Sequence, residues 1–160
     1  INVLSRNTMT HVEFMQEAIR EADLSISEGS VPFAVIVTDI TGNIVWRDHD
    51  RVKEFMDPTA HGEINTIRSL CKKFNTLSLN GYVFFTTSEP CPTCFSAMIK
   101  ARVATCYFGA RTESTASLPI PVEVLVSYAK KRPIQVTGGI LEKECLEQRE
   151  NYFKDRIKHS

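Results

Sequence analysis

The chain has 160 residues, 42% of them hydrophobic and 24% charged, which excludes a disordered chain and matches the size of one domain. Its 19 Lys and Arg balance 19 Asp and Glu, so no strongly basic surface for a phosphate backbone dominates. No apolar run approaches the roughly 18 to 20 residues that a membrane span needs. Residues 1–160 are therefore expected to form a single domain, with 1–9 as a flexible N-terminal extension.

Five cysteines, Cys71, Cys91, Cys94, Cys106 and Cys145, are too scattered and odd in number for a secreted disulfide framework. A reducing cytoplasm suits them, with Cys71 and Cys106 as small hydrophobes in a helix and a strand.

Thr10 with Glu13 forms a capping box, and Val12, Met15, Ala18, Ile19 and Ala22 keep one face apolar, which predicts a first helix over 11–28. Gly29 ends it. Pro32 opens the apolar run Phe33 to Val37, and the turn Thr41-Gly42-Asn43 leads into Ile44-Val45-Trp46, a hairpin pattern. Asp57-Pro58-Thr59 starts a second helix in which Ile64, Ile67, Cys71 and Phe74 share a face. A third strand is expected over 82–86, a third helix over 92–102 and a fourth strand over 103–108. A fourth helix follows Pro119 and Pro121 to about Lys130, then a fifth strand over 134–137 and a charged helix over 142–157. Helices alternating with five strands imply an α/β fold, a three-layer α/β/α sandwich with a central five-stranded mixed sheet, strands three to five parallel.

The chemistry concentrates in two segments. His61-Gly62-Glu63 stands at one helix start and Pro90-Cys91-Pro92-Thr93-Cys94 at another. Two thiolates separated by two residues, on a loop and in a first helical turn, can reach one metal ion, and the helix N-terminus favours their ionised form. A histidine from a second helix start completes three ligands. Zinc with three protein ligands keeps a position for water, as in catalytic rather than structural sites. Glu63, two residues past the histidine, is placed to shuttle a proton without ligating the metal.

His-x-Glu followed by Pro-Cys-x-x-Cys resembles the zinc-dependent cytidine-deaminase-like superfamily. Pro58-Thr59-Ala60-His61, Thr86 to Cys91, Ala101-Arg102, Tyr107 to Arg111 and Gly138 to Leu141 ahead of Glu144-Cys145 are similar to its guanine deaminase and tRNA adenosine deaminase branch. The resemblance implies the cytidine deaminase-like fold and one zinc ion held by His61, Cys91 and Cys94, with Glu63 as general acid and base. It implies that the Gly62 N–H holds a substrate carbonyl or ring nitrogen, and that the Ser88 or Glu89 carbonyl accepts from the departing amine. Phe33 is expected in the pocket wall, and Glu113 and Ser114 where the family places substrate contacts. A homodimer is the expected assembly.

The chain departs from the branch at two positions. Gly62 stands where alanine is usual, as in fungal-type cytosine deaminases. Asp50 stands where the family has a substrate-contacting asparagine, and an ionised aspartate only accepts hydrogen bonds. The run Tyr152-Phe153-Lys154-Asp155 is similar to the end of cytosine deaminase, in which a terminal aromatic and acid cover the ligand. Tyr152, Phe153 and Asp155 thus join the expected substrate contacts.

Blander readings compete. The cysteine pair can be a thioredoxin-like redox pair or part of a structural zinc site with Cys71, Cys106 or Cys145. Asp50 can be a solvated loop acid, and Tyr152, Phe153 and Asp155 an ordinary helix end. His11 and His49 are expected on the surface, Trp46 in the core or an interface. The expected function is removal of an exocyclic amine from a small nucleobase-like substrate, guanine-like first and cytosine next. One alternative is a tRNA-specific adenosine deaminase acting on an anticodon loop, for which Lys130-Lys131-Arg132 is the best contact. Zero net charge and the acidic stretch Glu142, Glu144, Glu147, Glu150 count against that nucleic-acid partner. A non-enzymatic zinc-stabilised module is the other alternative, and Glu63 counts against it.

Overall fold

The computed structural model describes residues 9–113 and 116–160. It contains α1 (His11–Ser27), β1 (Ala34–Thr38), β2 (Ile44–His49), α2 (Val52–Phe55), α3 (Gly62–Lys73), β3 (Val83–Ser88), α4 (Pro92–Lys100), β4 (Thr105–Ala110), α5 (Val122–Tyr128), β5 (Gln135–Thr137) and α6 (Glu142–Lys158). The five strands form one mixed sheet in the order β2-β1-β3-β4-β5. β1 is antiparallel to both β2 and β3, whereas β3, β4 and β5 run parallel.

Alternation along the strands divides the core into two layers. Val35, Val37 and Phe84 point to one face, against Leu70 of α3, Phe95 and Met98 of α4 and Val122 of α5. Ile36 and Phe85 point to the other, against Phe14, Met15 and Ala18 of α1 and Cys145 of α6. Every residue of β1 is buried, as expected of a strand covered on both sides. The three-layer sandwich expected from the sequence is the observed fold.

α1 begins with the expected capping box, Thr10 with Glu13. The loop expected before Asp57 contains the short α2, and at Asp57, where the second helix was expected to start, the chain turns. Asp57 Oδ1 accepts from the Thr59 N–H at 2.8 Å and its hydroxyl at 2.7 Å, so the aspartate shapes a local loop instead of capping a helix. The longer helix α3 starts at Gly62, with His61 as an extended N-cap. That places the His61 side chain at the helix entrance. The other elements fall within a few residues of their expected bounds.

Candidate active site

The site gathers at the entrances of α3 and α4, on the C-terminal side of β3 and at the end of β2. Asn65 on α3 donates to the carbonyls of both His49 and Ala60 at 3.1 Å, and the Arg51 N–H donates to the Ala60 carbonyl at 2.9 Å. These bonds fix the loop that carries His61. Cys91 is the N-cap of α4, with Pro92 just inside the helix, and its sulfur accepts from the Cys94 N–H.

His61 Nδ1 lies 3.3 Å from Cys94 Sγ and 3.7 Å from Cys91 Sγ. All three ligand atoms lie within 4.8 Å of one another. A tetrahedral zinc ion with ordinary Zn–S and Zn–N bonds has ligand-to-ligand edges of about 3.5–3.8 Å, which the two nitrogen-to-sulfur distances match to within a few tenths of an ångström. The hydrogen bond from Cys94, reinforced by His61, drives the Cys91 thiol down to about 3, leaving a thiolate. The same pair pushes Cys94 up and the bond to Cys91 raises His61 to about 9. A cation entering the group displaces those protons. Burial raises the Glu63 carboxyl above its ordinary range, which suits a group that must carry a proton at neutral pH.

Gly62 packs tightly: a Cβ there would meet Val35 Cγ1 and His49 Cα, each at 3.3 Å. As the first residue of α3, its N–H has no partner inside the helix. Asp50 is buried, 6% exposed, and accepts from the Ser30 hydroxyl at 2.7 Å and the Val52 N–H at 3.3 Å, which removes the solvated-loop reading. Its charge contributes to raising His61. Phe33 is partly buried beside it, its carbonyl accepting from the Asp50 N–H at 3.0 Å.

The other expected contacts have these surroundings. The Ser88 carbonyl accepts from the Thr86 hydroxyl at 2.8 Å. The Glu89 carboxylate is engaged by Arg111 at 2.9 Å, the Thr112 N–H at 3.3 Å and the Val122 N–H at 3.0 Å, and so anchors the start of α5. Glu113 is exposed, and Ser114 lies outside the described residues. Tyr152 and Asp155 line a groove between α1 and α6 with Ile19, Asp23 and Ile26; Phe153 packs edge-on to Tyr152 and is 45% exposed. An amphipathic pairing of two helices accounts for them.

Two residues escaped the sequence reading. His49, expected on the surface, is 1% exposed and sits between Glu21 at 2.8 Å and Glu28 at 2.7 Å. The signal was there: Phe14, Ala18, Glu21 and Ser25 share the buried face of α1, and an acid on such a face needs a partner. Arg149 lies one turn beyond Cys145 on the sheet-facing side of α6, stacked on Phe33. His11 is exposed as expected, and Trp46 packs on the core edge beneath Lys73.

With this geometry in place, the comparisons with known proteins converge. Residues 8–110 match the cytidine and deoxycytidylate deaminase zinc-binding region. The chain belongs to this zinc-binding deaminase family. It is similar to the tRNA-specific adenosine deaminase of Bacillus subtilis, 30% identical over 142 residues that cover 89% of this chain and 88% of the relative. The tRNA-specific adenosine deaminase of Haemophilus influenzae is 27% identical, covering 90% of this chain and 83% of that protein. Among solved structures, one described as a study of A-to-I editing by tRNA:A34 deaminases at the wobble position of transfer RNA has a TM-score of 0.75 and 29% identity, with 84% of this chain and 97% of that one covered. The guanine deaminase of Nitrosomonas europaea shares the fold, with a TM-score of 0.80 at 23% identity over 92% of this chain and 86% of that one.

This deaminase is therefore a zinc-dependent hydrolase, and the His61, Cys91 and Cys94 group is positioned to bind its metal ion. Redox-pair and structural-module readings fall away. Among the described residues, no helix is long and apolar enough to cross a membrane.

Proposed function

We propose that this deaminase acts on an adenine base in tRNA, converting the adenosine to inosine with consumption of water and release of ammonia. The observation that carries the reading is the 30% identity to a tRNA-specific adenosine deaminase across nearly the whole of both chains. In this reading His61, Cys91 and Cys94 would hold the zinc ion, which would supply a Lewis acid that makes hydroxide available near neutral pH. Glu63 accepts one proton from the attacking water and delivers it to the ring nitrogen beside the amine, then takes the second from the hydroxyl now on the ring carbon and delivers it to the amine, which leaves as ammonia as the carbonyl forms. The Gly62 N–H donates to a ring nitrogen, and the Ser88 or Glu89 carbonyl accepts from the departing amine. Asp50 and Phe33 orient the base. Domain extent follows the same reading, with residues 1–160 acting as one catalytic unit.

A second reading, a free guanine-like base, is favoured by a different observation. The formal net charge is zero, and α6 presents Glu142, Glu144, Glu147 and Glu150. A strand of RNA gains most of its affinity from phosphate neutralisation, so a neutral protein suits a small base. The Bacillus subtilis guanine deaminase structure is 31% identical, though only 64% of this chain and 66% of that one are covered.

Ammonia release from zinc-loaded protein separates the two, with an anticodon stem-loop bearing a wobble adenosine set against free guanine, guanosine and cytosine and with Glu63→Ala as control. Turnover of the stem-loop that weakens steeply with salt is the expected result. Turnover of guanine alone, independent of salt, would replace the tRNA reading with the second one.

A further inference from the structure

Arg149 is a cation without a counter-charge at the rim of the active site. Of the described arginines only Arg51 and Arg149 are partly buried; the others are exposed. Arg51 is compensated by Asp48 at 2.8 Å and Glu54 at 2.7 Å. Among the described residues, no carboxylate lies within ion-pair distance of Arg149. The acids on its own helix are directed elsewhere, Glu147 toward Lys143 and Glu150 toward Lys154. Glu89 is committed to Arg111, and Asp50 to Ser30 and Val52.

Its hydrogen bonds go only to neutral acceptors, Nη1 to the Arg111 carbonyl at 2.7 Å and Nη2 to the Ser88 hydroxyl at 3.0 Å. Nε is buried with no partner. A guanidinium has five N–H donors, so most of this one's capacity is unspent. Holding helix α6 to the C-terminal ends of β3 and β4 does not require a charge; a neutral amide would satisfy both contacts without the desolvation that lowers the Arg149 pKa. The charge needs another purpose.

Its position supplies one. The guanidinium stacks on Phe33 at 5.4 Å, and the Phe33 carbonyl holds Asp50. Ser88, one of its two hydrogen-bond acceptors, stands three residues before Cys91. Arg149 thus spans the two strands' ends that flank the metal-ligand group. A planar, aromatic-stacked guanidinium with free donors is the side chain best matched to a tetrahedral oxyanion.

We propose that Arg149 binds a phosphate oxygen of the substrate nucleotide at the rim of the site and so selects nucleotides over free bases. The phosphodiester source of that oxygen rests on the tRNA reading; a free nucleoside monophosphate offers the same chemistry. Calorimetric titration of zinc-loaded Glu63→Ala protein, which binds without turnover, tests it with three ligand sets: AMP against adenosine, GMP against guanosine, and the anticodon stem-loop. Each is repeated with Arg149→Gln and, should glutamine impair folding, Arg149→Met. The phosphate-bearing ligand is expected to bind roughly 10- to 100-fold more tightly than its nucleoside, and the preference to vanish in the Arg149 variants. A preference confined to the stem-loop, lost with Arg149, assigns a phosphodiester; one seen with AMP or GMP assigns a monoester. Binding that ignores phosphate in all three sets, or a preference that survives Arg149→Gln, would overturn the assignment. The two proposals fail separately. A protein inactive on the stem-loop that still prefers AMP or GMP through Arg149 loses only the tRNA reading. One that deaminates the stem-loop equally well with Arg149→Gln loses only the phosphate contact.

Discussion

The Ser30 hydroxyl donates to Oδ1 of Asp50 at 2.7 Å, tying the turn after α1 to the residue that follows β2. The Val52 N–H reaches the same oxygen, and among the described residues none donates to Oδ2. An asparagine in this place can present its own oxygen to both donors, so Asp50→Asn is expected to keep the fold within about 1 kcal/mol. It exchanges an acceptor for a donor at the other position. The ratio of kcat/KM between two substrates differing at the contacted edge is therefore expected to move by roughly tenfold or more. An unchanged ranking in a side-by-side kinetic comparison would remove Asp50 from substrate selection.

His49 links α1 to β2 through Glu21 and Glu28. Desolvation opposes its charge, but the hydrogen bonds to the two carboxylates outweigh it and the imidazole pKa is raised. A group whose folded pKa lies above its unfolded value of about 6.5 contributes fully below that value and loses its contribution as pH rises through the folded pKa. Urea denaturation is expected to show His49→Gln less stable than the parent by about 1–3 kcal/mol near pH 6, with the gap narrowing as pH rises. A gap that is flat from pH 6 to 9 would mean that the ring is neutral between its two acids.

Metal removal tests the candidate ligands. Chelation is expected to abolish turnover and lower the unfolding midpoint, since a ligand present at 1,000 times its Kd stabilises the folded state by about 4 kcal/mol. His61→Ala and Cys91→Ser are expected to lose zinc as measured by metal analysis. Glu63→Gln is expected to retain zinc and the midpoint while turnover falls roughly 10²–10⁴-fold. Zinc lost with Glu63→Gln would make Glu63 a ligand rather than a proton carrier.

Much of this was legible in the chain because short-range chemistry dictated it. The capping box at Thr10, the Pro-Cys-x-x-Cys helix start and the alternating strands needed only their neighbours. Where the reading failed, either two local signals competed or the deciding partner was distant in sequence. Asp57 turned the chain with Thr59 instead of opening a helix, since local aspartate–backbone bonds compete with helix initiation. His49 looked solvated within Arg47-Asp48-His49-Asp50-Arg51, and its burial became visible only when Glu21 and Glu28 arrived from α1. Tyr152 and Asp155 were assigned to the ligand by resemblance, whereas the face they share with α1 determines their place. Arg149 was counted as part of a charge balance, and its contacts span 38 and 61 residues.

The glycine pair before α6 gives a test of how tightly that helix is held to the site. Gly139 has φ +87° and its N–H donates to the Gly109 carbonyl at 3.1 Å, while the Ile140 N–H donates to the Phe108 carbonyl at 3.2 Å. A Cβ on Gly139 meets nothing within 4 Å, so Gly139→Ala suffers only the left-handed backbone, about 1 kcal/mol. A Cβ on Gly138 would lie 2.1 Å from Phe108 Cζ. Phe108 is 1% exposed in the core beside Val122 and Ile134, with nowhere to retreat. Gly138→Ala is expected to cost about 3 kcal/mol or more in urea denaturation. Because the displaced segment leads directly into α6, the same variant is expected to loosen Arg149 from Phe33 and lower kcat/KM beyond what Gly139→Ala does. Equal costs for the two alanines would mean that Phe108 has room to move and that α6 is held mainly by its own packing against α1.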